Sequence, residues 1–120
     1  MRLTRVIAVC FALGCLLHAI GFALMLFGVE LYGAGYPAWR HAAFVLADAL
    51  IAYLAFRRPE RLFVPLLAFL IEQVAVNGTF AWRAWRTTGA VAWGVPVTIL
   101  LISAAMVIAA REHRAADAIT

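Results

Sequence analysis

Three side chains sit where hydrocarbon would be expected: His18, Asp48 and Glu72, each inside a long apolar run. An ionised group at the centre of a membrane helix costs roughly 2.5–3.5 kcal/mol on insertion scales, so it needs a partner, a proton or a water-filled space. Such groups by default mark proton paths or ligand sites. Either carboxylate can act as a proton carrier or general acid, with the other carboxylate or His18 as the base. Glu72 stands beside Gln73, with Asn77 one turn on, in the run LFVPLLAFLIEQVAVNGTFAW. Those two amides are suited to orienting a hydroxyl or carbonyl of a bound molecule, and Thr98 in the last apolar run adds a hydroxyl.

The same residues invite a metal reading. One imidazole and two carboxylates are ligand types for iron, manganese or zinc. No Glu-x-x-His spacing accompanies them, and His41 lies near the start of its run, at the outer surface and away from His18 in expected depth. The reading is therefore no metal and no cofactor. A bland alternative also holds for the cluster: the polar groups hydrogen-bond to one another and lock helices together, at about 0.6 kcal/mol per contact on average.

A second polar group gathers at the ends of the runs: Arg40, His41, Trp82 and Arg83, with Glu30, Trp85 and Arg86. Arginines alternating with tryptophans can hold a lipid phosphate. They also serve as interfacial anchors, the commoner use of such residues.

The elements that must position these groups follow from composition. The chain has 120 residues, 67% of them hydrophobic, and a mean hydropathy of +0.97. A chain this small cannot hide so much apolar surface in a water-soluble core. Four runs are long enough to cross a bilayer as helices, at about residues 6–29, 38–56, 62–82 and 91–110. The expected fold is all-α, a single four-helix transmembrane bundle with short loops over residues 1–120. The first thirteen residues resemble the start of a secretory signal, and Ala12-Leu13-Gly14-Cys15 loosely resembles a lipoprotein box. The apolar run continues to Val29, well past a signal core of about 7–15 residues, so an uncleaved first span is expected.

Within that frame, Gly14, Gly21 and Gly28 recur every seven residues and share a face with His18. Such a glycine stripe lets another backbone come close. His41, Asp48, Ala52 and Ala55 share a face of the second run, and Glu72 shares one with Pro65, Ala68, Ala75 and Thr79. The last run has a small-residue face of Gly94, Thr98, Ala105 and Ala109. His18, Asp48 and Glu72 each lie ten to twelve residues into their runs, hence near the bilayer midplane, where a bundle can bring them together. Cys10 and Cys15 are five apart and read as packing residues.

Charge sets the orientation. All ten basic residues are arginines; with both termini in the cytoplasm, seven lie inside and three (Arg40, Arg83, Arg86) outside. The positive-inside rule favours that arrangement, and all four tryptophans then sit at the outer interface. The expected location is the inner cell membrane. No soluble face carries the arginines, which argues against nucleic acid as a partner. Phosphate-binding Gly loops, GxSxG and HExxH are absent. In size and span number the chain is similar to the small multidrug-resistance transporters, but their essential glutamate is in the first span, where this chain has His18. Nothing is carried over from that family.

The functional expectation is an intramembrane site for a small apolar or amphipathic, lipid-derived molecule, worked by Glu72, Asp48 and His18. It takes the form of an acid/base enzyme or a proton-coupled carrier. The carrier version implies a homodimer, because four helices enclose little volume. The alternative is a non-catalytic accessory subunit of a larger membrane complex.

Overall fold

The computed structural model describes residues 3–29 and 37–117. Glu30, Tyr32 and Tyr36, expected at the outer rim, lie outside the described residues. Among those described there are no strands, and four helices are long and apolar enough to cross a membrane. They are α1 (Leu3–Leu26), α2 (Ala38–Arg57), α3 (Phe63–Thr88) and α4 (Gly94–Asp117).

The helix ends are written in local chemistry. Gly28, with φ +81°, closes α1 in a Schellman motif: the Val29 amide donates to the Leu24 carbonyl and the Gly28 amide to Met25. Gly28 is thus a helix stop, not the third member of a packing stripe, and α1 ends at Leu26 where the sequence suggested Val29. α2 starts directly after Pro37, which holds an extended backbone. A 3₁₀ turn, Pro59–Arg61, follows α2. Pro65 and Pro96 both fall in the first turn of their helices, where the missing amide hydrogen costs nothing. Gly89, at φ +70°, ends α3 with its amide on the Trp85 carbonyl. The third helix therefore runs six residues past Trp82, and Arg83 to Thr88 are helical where a loop was expected.

α3 is not uniform. Gln73–Asn77 form a π turn, and the Gly78 amide reaches back to the Gln73 carbonyl. Single π turns inside α-helices are frequent at functional sites. This one coincides with the most polar stretch of the helix interior.

The chain divides into two compact units, Met1–Arg58 and Pro59–Thr120. In the first, α1 packs along α2. His41, Phe44, Asp48, Ile51 and Ala55 are the buried residues of α2, spaced three and four apart as one helix face. In the second, α3 and the 3₁₀ turn before it pack against α4. Leu62, Leu66, Phe69 and Gln73 are buried, as are Ile102, Ala105 and Ala109. The face that packs thus carries Gln73; Ala68, Ala75 and Thr79, which were expected to accompany Glu72 inward, are exposed. Leucine, isoleucine and phenylalanine fill contact space better than small residues where no close backbone approach is needed, which explains the choice of face.

Candidate functional site: a histidine–histidine–aspartate array on the first hairpin

α2 presents two polar side chains on its buried face, His41 and Asp48, seven residues apart. Each meets a glycine of α1. A β-carbon placed on Gly14 would stand 2.9 Å from Oδ2 of Asp48, and one on Gly21 would stand 3.0 Å from Cε1 and 3.1 Å from Nδ1 of His41. The two glycines therefore leave room for side chains of α2, where the sequence had suggested the approach of a backbone. Between them, one turn from each, α1 presents His18.

His18 bridges the two. Its Nδ1 lies 3.1 Å from Nδ1 of His41, within hydrogen-bond reach, and its Nε2 lies 3.8 Å from Oδ2 of Asp48. Phe44 packs against the same imidazole with ring centroids 4.9 Å apart. Arg40 also lies over Phe44, its guanidinium carbon 5.6 Å from the ring centre, close enough for a cation–π contact. Asp48 is 3% exposed and His41 2%, while the His18 side chain between them is half-buried, 30% exposed. Cys15 anchors the helix pair nearby, its thiol 3.5 Å from the Val45 carbonyl. Cys10, expected to pack, is exposed.

His41 was assigned by its place in the sequence to an outer rim with Arg40, Trp82 and Arg83. The structure moves it into the array with His18. The signal was present: His41 and Asp48 share a face at i, i+7, as do Gly21 and Gly14 on α1. What was missing was the register that aligns the two faces.

Glu72 belongs to the second unit, where a chain of side-chain amides holds it. Asn77 Nδ2 donates to Gln73 Oε1 at 2.8 Å, and Gln73 Nε2 donates to Glu72 Oε2 at 3.1 Å. The π turn carries Gln73 and Asn77, and Glu72 directly precedes it. Thr98 sits at the start of α4 and donates its hydroxyl to the Gly94 carbonyl at 2.8 Å. Trp82 and Arg83 are exposed. Trp82 stacks obliquely on Trp85, centroids 5.0 Å apart, with the Arg86 guanidinium 5.9 Å from its ring. These tryptophans, with Val91, Ala92 and Pro96, line an open groove of about 280 Å³. Among the described residues, no group of three or more His, Cys, Asp or Glu side chains is placed to hold a metal ion.

No protein family, curated protein or solved structure matches this chain.

Chemically, the array offers what a single buried carboxylate lacks. Imidazole can donate at one nitrogen while accepting at the other, and His18 has each nitrogen aimed at a different polar partner. The three groups are strung along the hairpin instead of being gathered around one point.

Proposed function

We propose that this chain is a small multi-pass membrane protein, with both termini cytoplasmic, that couples proton movement to carriage of a small apolar or amphipathic molecule. The four apolar helices support the membrane location, and the arginine distribution supports the orientation. The observation that carries the functional reading is His18, held with Nε2 toward Asp48 and Nδ1 toward His41. A lone carboxylate serves as a binding contact as well as a proton site; a carboxylate facing one end of an imidazole whose other end meets a second imidazole is built for proton exchange.

In this reading Asp48 takes the leading role and Glu72 the supporting one. Asp48 accepts and releases the proton, and His18 is its exchange partner. Gln73 and Asn77 on the π turn and Glu72 just before it, with Thr98, supply polar contacts for the head of the carried molecule. The lipid bilayer is the solvent, and a homodimer provides the volume that four helices lack. An arrangement strung along a helix axis favours a carrier over an enzyme, whose acid and base must face one reacting bond.

The test is reconstitution into liposomes with a pH-sensitive dye inside, challenged with a panel of amphipathic cations and lipid-derived acids and alcohols. Proton counterflow on adding one of these compounds, lost in Asp48→Asn and His18→Phe, supports the carrier. Turnover of a compound in detergent without any gradient moves the reading to an enzyme. Unaltered cell phenotype in both variants, with loss of a larger complex when the chain is deleted, returns it to an accessory subunit.

A further inference from the structure

We infer that His41 and His18 form a two-imidazole proton wire to Asp48, working by a paired tautomer switch; this deepens the carrier reading and rests on it. The geometry leaves few arrangements of hydrogens. Two Nδ1 atoms 3.1 Å apart bond only if one carries hydrogen and the other a lone pair. When Asp48 is ionised, the hydrogen of His18 belongs on Nε2, facing Oδ2. His18 Nδ1 is then the acceptor, and His41 Nδ1–H is the donor.

Protonation reverses every bond without charging either ring. A proton binds to Nε2 of His41; the hydrogen on its Nδ1 passes to Nδ1 of His18; the hydrogen on Nε2 of His18 passes to Oδ2 of Asp48. Three N–H or O–H bonds form and two N–H bonds break, and the net change is one proton gained by the carboxylate. In the new state Asp48 O–H points to Nε2 of His18, and His18 Nδ1–H donates to Nδ1 of His41. Both states keep both rings neutral, which matters where an isolated charge is costly. The wire runs from the first turn of α2 toward its middle, about 10 Å along the axis for seven residues.

The last hop sets a condition. The 3.8 Å between Nε2 and Oδ2 exceeds a hydrogen bond, so the carboxylate must close by about 1 Å to take the proton. Gly14 puts no β-carbon beside Oδ2, where one would stand 2.9 Å away and crowd the carboxylate. Other ionisable groups of the two helices nearby are Cys15, bonded to the Val45 carbonyl, and Arg40, lying over Phe44.

Solid-state NMR of ¹⁵N-histidine protein in lipid bilayers distinguishes Nδ1–H from Nε2–H rings, with His113 assigned through His113→Gln. As pH falls through protonation of Asp48, followed at its ¹³C-labelled carboxyl, the His18 and His41 rings should exchange tautomer in one step and stay neutral. One ring switching alone, an imidazolium in that step, or stoichiometric zinc or copper bound at both Nδ1 atoms would overturn the wire. In liposomes, His41→Phe should slow proton counterflow at least tenfold. If Asp48→Asn stops counterflow and His41→Phe does not, the wire fails and the carrier stands. If Asp48→Asn leaves counterflow intact, the carrier reading itself fails, whatever the rings do.

Discussion

Gly14 and Asp48 occupy one space: a β-carbon on the glycine would stand 2.9 Å from Oδ2 of the aspartate. Real β-carbons do not come that close, so either the carboxylate or the helix must move to accept one. An α-helix interior has better residues than glycine, by about 1 kcal/mol relative to alanine. The glycine is explained by what it lets in.

Gly14→Ala should therefore lose stability despite its better helix propensity. Overpacking of this kind costs about 1–3 kcal/mol, enough to outweigh the propensity gain. Denaturant unfolding in detergent micelles measures it. Gly94→Ala is the control, since nothing lies within 4 Å of its β-carbon position. Equal stability of the two variants would contradict the packing described.

Gly21→Ala should collide with the His41 ring, whose Cε1 and Nδ1 lie 3.0 and 3.1 Å from the new carbon. Shortening the ring's side chain ought to relieve the clash. The double variant Gly21→Ala, His41→Ala is expected to be more stable than the sum of the single losses by about 0.5–3 kcal/mol. Simple additivity in a double-mutant cycle would place His41 elsewhere.

Asp48→Asn keeps the shape of the side chain and removes the charge. In hydrocarbon the neutral amide is the cheaper group, so folding should be unchanged or slightly firmer. Proton counterflow should vanish. A variant that unfolds would show Asp48 to be a structural ion; one that still moves protons would exclude it as the carrier group.

Gln73→Leu removes both bonds of the π-turn string, to Glu72 and from Asn77. At membrane values for such contacts the loss is about 1 kcal/mol in total. The first hairpin does not contain these residues, so the His18 and His41 tautomers should read the same by NMR. Ligand-driven counterflow should weaken through a lower apparent affinity, measured by titrating the carried compound.

Gly89→Ala should destabilise α3 by about 1 kcal/mol, because φ +70° strains a residue with a β-carbon. Circular dichroism across a thermal ramp in micelles checks it. An unshifted midpoint would mean that the helix can end otherwise.

Much of this protein is written along the chain. Apolar run length and the cost of unsatisfied backbone in lipid call for four long helices, and the arginine distribution underlies the proposed orientation. The glycine and histidine stripe of the first run, and the shared face of His41 and Asp48 in the second, are periodicities of one helix each. What periodicity cannot supply is the offset between two helices. Whether Gly14 meets Asp48 or a residue one turn away depends on how ridges of α1 settle against α2, a sum over many small contacts distant in sequence. That offset, and not any local signal, made His41 a neighbour of His18 and turned an expected rim residue into part of a buried array. The π turn at Gln73–Asn77 is likewise a tertiary outcome: one extra residue in a helical turn costs backbone hydrogen bonding, and only contacts elsewhere repay it.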